Sequence, residues 1–250
     1  MNLKMKRELI VPGLIAAVVG FSACNNQTNQ TNETAQTDST EVNTEDEWIS
    51  LFDGESLAGW HGYNKTEPVE NWIIEDGALV CLGAAEHDTG GDIVSDQEFD
   101  NFELVWDWKL EAGSNSGVMY HVVEDPKYKG PYETGPEYQM IDDEGWPGEL
   151  EEWQKTGADY AMNLTNDKKK VKPIGEWNNS KIVYNNGHVE HWLNDEKIVE
   201  FEVGTDEWNK EKEEGKWKDF PDYASVKKGK IALQDHGKKA YFKNIKIKEL

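Results

Sequence analysis

Phe102-Glu-Leu-Val-Trp-Asp-Trp-Lys-Leu110 alternates strictly, so Phe102, Leu104, Trp106, Trp108 and Leu110 fall on one side of an extended chain. A period of two is the signature of a β-strand with one buried face. Ser116 to Val122 and Glu137 to Ile141 read as further strands. Lys181-Ile-Val-Tyr184 and His188 to Leu193 flank Asn185-Asn-Gly187, a hairpin turn, because Asn and Gly tolerate positive φ. The next turn, Asn194-Asp195, leads into Lys197 to Phe201. Ala240 to Leu250 alternates again as a closing strand. Helical patterns are short: Gly148 to Gln154, and Thr205 to Lys212 with Thr205 as the cap. Many short strands, frequent turns and no strand–helix–strand rhythm predict an all-β fold, a two-sheet antiparallel jelly-roll sandwich with long loops and few short helices.

Composition narrows the partners. The formal net charge is −23, and the one arginine is Arg7. A field of that sign repels phosphate backbones and anionic headgroups, so nucleic acid and direct membrane-surface binding are excluded as partners. Beyond Arg7 the chain has no guanidinium fork to grip phosphate or carboxylate in bidentate fashion. Neutral sugars and cations remain compatible. Of the two cysteines, Cys81 lies in the apolar run Ala78 to Leu82 and reads as a small core hydrophobe.

The first residues read as an export leader. Lys4, Lys6 and Arg7 form a basic start, and Leu9 to Phe21 is an apolar stretch too short to span a membrane comfortably. It ends in Phe21-Ser-Ala-Cys24, which resembles the lipobox of bacterial lipoproteins. The expected organisation is a signal peptide over 1–23, lipidation of Cys24, a disordered polar tether over 24–46 and one folded domain over 47–250. The expected location is the cell envelope facing the periplasm, with the membrane touched only through the lipid anchor at Cys24.

The folded part carries a family likeness. Leu51-Phe-Asp-Gly54, Leu57-Ala-Gly-Trp60, Trp72 and Asp76-Gly-Ala-Leu79 open it, and Gly91-Asp-Ile and Phe99 to Trp108 follow. Asn115-Ser-Gly117, Gly135 to Asp142, Glu176-Trp-Asn178 and Glu190 to Asn194 extend it to Gly229 through Gly237 and Phe242 to Ile247. In this order they resemble the 3-keto-disaccharide hydrolase domain family. The resemblance implies a concanavalin-A-like lectin/glucanase sandwich with a ligand groove on one sheet, and activity on glycosides whose ring is oxidised to a 3-ketone. Where many such relatives carry Arg after the Asn-Ser-Gly motif, this chain has His121.

A 3-keto sugar needs no glycosidase-type nucleophile. The ketone acidifies the hydrogen on C2, a base removes it, the C1 substituent leaves by β-elimination, and water adds to complete a net hydrolysis. The requirements are a base titrating near neutrality, a group that holds enolate charge and an acid for the leaving oxygen. Histidine, with an ordinary pKa of about 6.5, suits the first role. Strand parity turns Glu137 and Gln139 away from Tyr138 and Met140, and Gln234 and His236 away from Ile231 and Leu233. Glu137, Gln139, His121 and His236 are therefore expected around the reacting ring, with Gln234 on the same face and Asn115 and Asp235 positioning hydroxyls. His121 or His236 would be the base, and Glu137 the second acid/base or a metal ligand.

A divalent metal ion held by His and carboxylates would polarise the ketone, although no His-Glu-x-x-His or EF-hand signature is present. Asp142-Asp-Glu144 reads as a hydrated acidic loop before it reads as a calcium site. Trp146, Trp153, Trp208 and Trp217, in polar surroundings, are candidates for stacking on sugar rings at the groove rim, Trp146 foremost. The competing reading is a noncatalytic lectin-like glycan-binding module, which needs the groove but no base. A retaining glucanase is disfavoured because Glu137-Tyr-Gln-Met-Ile-Asp142 lacks the second carboxylate such enzymes place about 5–5.5 Å from the first.

Overall fold

The computed structural model describes residues 47–66, 69–83 and 91–250. The leader, Cys24 and the tether lie outside the described residues. Among the described residues, thirteen strands form two antiparallel sheets. The larger holds β1 (Ile49–Ser50), β3 (Trp72–Glu75), β4 (Ala78–Cys81), β6 (Phe102–Leu110), β9 (Asn178–Asn185), β10 (His188–Leu193), β11 (Glu196–Glu202) and β13 (Ala240–Glu249). Its order is β11-β10-β9-β6-β13-β4-β3, with β1 paired to the second half of β13. The smaller sheet holds β2 (Trp60–Gly62), β5 (Ile93–Phe99), β7 (Asn115–Val122), β8 (Glu137–Ile141) and β12 (Gly229–Leu233), in the order β2-β5-β12-β7-β8.

The alternation of β6 is realised residue by residue: Phe102, Leu104, Trp106, Trp108 and Leu110 are buried and the residues between them half-buried. They meet Tyr120, Tyr138, Met140, Ile231 and Leu233 of the smaller sheet in the main core. Three two-residue hairpin turns place both residues at positive φ: Asp76-Gly77, Asn186-Gly187 and Asn194-Asp195. That conformation matches the twist of the flanking strands. Cys81 is buried and unpaired in the core, where desolvation pushes its thiol pKa up.

The one α-helix among the described residues, α1 (Asp206–Glu214), starts where expected, with the Thr205 hydroxyl accepting from Trp208 N–H at 3.2 Å. Gly148 to Gln154 forms only a short 3₁₀ turn at Glu152–Gln154. Strand β7 departs furthest from a simple pattern. Its pairing with β12 shifts register between Lys230 and Ala232, and His121 takes φ +54°. The resulting bulge turns both Tyr120 and His121 to the same side.

Candidate active site

The smaller sheet turns one face to the core and the other to a cap of loops. Met119, Val122, Val94 and Ala232 on that second face pack with Tyr63, Tyr128 and Tyr132. Beside them Trp208, Trp217 and Tyr223 form a second aromatic cluster. Tyr223 lies nearly parallel to Trp217, with ring centroids 4.2 Å apart, and to Trp208 at 6.2 Å. Trp208 and Trp217 are buried packing residues, so the expectation that they stack on sugars is corrected; Trp146 and Trp153 remain half-buried.

Gly117 lies at the centre of this face. It pairs with Gln139 across β8, and its carbonyl accepts from Gln234 N–H at 3.0 Å on the other side. Glu137, two pairs along and opposite Met119, lays its carboxyl over Gly117, in the space any Cβ there would fill. Asn115, Gln139, Glu137 and Asp92 are 7, 2, 4 and 5 % exposed. Glu137, Gln139, Gln234 and Asn115 are thus together on this face.

Burial decides the electrostatics. Desolvation drives the Glu137 pKa up to about 8; the Lys216 ammonium opposes this, Asp92 and Asp159 add to it, and a hydrogen bond from Gln234 lowers it. Asp92, which precedes β5, is raised to about 7, again by burial first, although it accepts Asp235 N–H at 2.8 Å. The Asn115 Oδ1 and Gln234 Oε1 atoms are buried without a protein partner. The Gln139 Oε1 atom accepts Met140 N–H at 2.9 Å. Lys216 reaches over the Tyr160 ring, its Nζ 3.9 Å from the centroid.

Three sequence-based expectations are corrected. The bulge in β7 sends His121 away from this face: its Nε2 donates to the Asp100 carbonyl at 2.8 Å, and its ring packs edge-on to Tyr184 and Phe102. Burial pushes its pKa down. His236 does not share the Gln234 face by strand parity, because β12 ends at Leu233; His236 is exposed, its ring 6.0 Å from that of Trp146. Asp235 is a structural tie, with Oδ1 accepting Gly237 N–H at 2.9 Å and Oδ2 accepting the Asn71 amide at 2.6 Å over Gly91. Asp92, Asp159, Lys216 and Tyr223 escaped the sequence reading. Asp92 sits inside the quoted Gly91-Asp-Ile motif, which was the one available signal; the other three come from loops with no distinguishing pattern.

Metal-ligating groups lie elsewhere. Among the described residues, His188, Glu190 and Glu200 bring ligand atoms within 4.8 Å of one another on β10 and β11. Lys197 Nζ already sits between the two carboxylates, 3.0 Å from Glu190 and 2.8 Å from Glu200. Asp142 accepts backbone N–H groups of Gly113 and Gly145, and Asp143 accepts Thr156 N–H and pairs with Lys169, so this acidic loop is held by its own chain.

A two-sheet sandwich with a capped polar face defines a protein of the galectin-like fold class. A solved protein of Bacillus subtilis with a galectin-like fold superposes with a TM-score of 0.51 over 81% of this chain and 94% of that one; at 15% identity the likeness is one of fold. The chain belongs to the 3-keto-α-glucoside-1,2-lyase-like domain family, whose model matches residues 47–248. It is 31% identical over 229 residues to a 3-keto-disaccharide hydrolase of Bacteroides thetaiotaomicron, covering 82% of this chain and 79% of that protein. A crystal structure from Parabacteroides distasonis, assigned as a glycosyl hydrolase, is 47% identical with a TM-score of 0.76 over 81% of this chain and 94% of that one. These relatives make the chain glycoside-hydrolase-like.

Proposed function

We propose that the protein cleaves the glycosidic bond of 3-keto-glycosides by abstraction of the C2 proton, β-elimination and hydration, with Glu137 as the base. The observation that carries this reading is a carboxyl group seated on Gly117, held near pKa 8 by burial and flanked by two unsatisfied acceptors, Asn115 Oδ1 and Gln234 Oε1. A carboxylate that binds its proton this tightly is a far stronger base than an exposed one, and its pKa is near the working pH. The lone acceptors suit hydroxyl donors of a neutral sugar and repel an anionic one.

In the first step Glu137 takes the C2 proton, and the electron pair moves into a C2–C3 enolate, with charge on the former ketone oxygen. Lys216, whose field reaches the Glu137 carboxyl, is the cation assigned to offset that charge. The enolate then re-forms the ketone and expels the C1 oxygen, which takes a proton from solvent, balanced by the proton the water adding at C1 later gives back. Water adds at C1, and C2 recovers a proton from the Glu137 carboxylic acid. Every proton removed is returned, so one water is consumed per bond cleaved. The family and its 3-keto-disaccharide hydrolase relative support this substrate class.

The test follows a 3-keto-disaccharide by NMR in deuterated water with wild type and Glu137→Gln. Deuterium at C2 in the wild type and its loss in the variant are expected. Unchanged exchange in the variant would remove Glu137 as the base. For the leader we propose lipid anchoring through Cys24, tested by whether Cys24→Ala moves the protein from the membrane to the soluble fraction.

A further inference from the structure

Beside the Glu137 face is a second set of buried polar atoms without partners: Tyr120 Oη, Asp159 Oδ1, Tyr223 Oη and His191 Nε2. Each of these residues is at most 1% exposed. They arrive from separate elements. Tyr120 comes from the bulge in β7, Tyr223 from the aromatic cap and His191 from β10. Asp159 bridges Tyr138 along the open edge of β8, and the next residue, Tyr160, donates its N–H to the Glu137 carbonyl at 3.0 Å.

The hydrogen-bonding roles are complementary. His191 Nδ1 donates to the Gly157 carbonyl at 3.0 Å, which leaves Nε2 as an acceptor. Tyr120 and Tyr223 each bring a hydroxyl, and Asp159 a carboxyl oxygen, its other oxygen accepting the Asn163 amide at 2.9 Å. The groups share one electrostatic neighbourhood. Burial raises the pKa of both Tyr120 and Tyr223, the Asp159 charge adds to it in each, and the Glu137 charge also acts on Tyr223. Glu211 acts on Asp159, Tyr184 on Tyr120, and Lys216 and Asp92 on Glu137; no cation is among the causes acting on Asp159.

We propose that Asp159 and Tyr223 are positioning residues that hold a proton behind Glu137, with the Tyr223 hydroxyl linking the two carboxyl groups through internal water. When protonated Glu137 gives its proton to Tyr223 Oη, the phenol's own proton passes to Asp159 Oδ1. One proton moves inward, the phenol ends neutral, and Glu137 is again a carboxylate. The functional meaning rests on Glu137 being the base, but the linkage does not.

The test has two arms. Titration of the ¹³C-labelled carboxyl groups, without substrate, is expected to show Glu137 and Asp159 each reporting two inflections, because coupled sites titrate as a pair. Asp159→Asn should move the Glu137 midpoint to lower pH, and Tyr223→Phe should shift it too, with the Asp159 charge still in place. In the second arm Tyr223→Phe should lower kcat about tenfold with KM unchanged. A Glu137 titration that Tyr223→Phe leaves unchanged would overturn the proposal, whatever Asp159→Asn does, because the Asp159 charge acts on Glu137 without the phenol. The two-inflection titration in a protein that turns over no 3-keto-glycoside would instead overturn the base assignment and leave the linkage standing.

Discussion

Two clusters of acids in this molecule have opposite physical characters. Glu137, Asp92 and Asp159 are buried to 5% exposure or less, and burial raises all three above the usual carboxylate range. Glu190, Glu200 and Glu202 lie on the β10–β11 surface, with Lys197 and His188 threaded between them. There the Lys197 and His188 contacts outweigh desolvation and hold Glu190 below its ordinary value, while His188 is raised. The surface cluster is compensated charge. The buried one is charge kept short of partners, an arrangement that costs stability and is retained where chemistry needs it.

Glu137→Gln tests that contrast most severely. Activity on a 3-keto-glycoside should fall by about 10²–10⁴-fold, while the fold becomes more stable at alkaline pH. A carboxyl whose folded pKa is near 8 against an ordinary 4.5 favours the folded state fully below pH 4.5, and the benefit is lost as pH rises toward 8. Asp92 and Asp159 act in the same direction, with folded values of about 7. His191 acts oppositely: lowered to about 4 from 6.5, it weakens the fold as pH falls through that window. The difference between wild type and variant isolates Glu137. Denaturant unfolding across that range should show the variant gaining up to about 5 kcal/mol at the alkaline end. An equal gain at every pH would mean that Glu137 is not held protonated.

Gly117→Ala should follow in size. The new methyl group needs the space of the Glu137 carboxyl, so the carboxyl must swing aside. A drop of about 10²-fold in kcat is expected with the two-sheet fold preserved by circular dichroism. Full activity would show that the carboxyl has no need of its seat on Gly117.

Two smaller effects should have opposite signs. Removing the opposing cation with Lys216→Met raises the Glu137 pKa further, moving the acid limb of kcat/KM to higher pH. Removing a like charge with Asp92→Asn moves it to lower pH. Shifts of about half a pH unit are expected from single partners at the edge of a buried site. Shifts of the same sign would contradict the charge map drawn around Glu137.

The same contrast explains what the sequence could disclose. Strand β6 and the hairpin turns were legible because alternation and Asn-Gly chemistry are local. Glu137 and Gln139 were legible because β8 is regular and parity carries. In β7 all eight residues are buried, so no alternation marks its faces, and the bulge that turns His121 inward depends on pairing with β12. Strand β5 hid behind its polar middle, Ser95 to Glu98. Asp92, Asp159, Lys216 and Tyr223 reach the site from outside the regular strands, and their convergence is a tertiary fact that no spacing encodes.

The smallest effect belongs to the surface cluster. Glu200→Gln removes a carboxylate that is about half exposed and already held by Lys197 and His188. Exposed pairs of this kind contribute little, because solvent screens them and ordering long side chains offsets the attraction. The thermal midpoint should stay within about 2 °C of wild type, and turnover should not change. His188 should titrate at lower pH, since a neighbouring negative charge is gone. A large loss of stability or activity from this substitution would mean that the exposed cluster, and not the buried one, carries the functional charge, and the division between compensated and uncompensated acids would have to be redrawn.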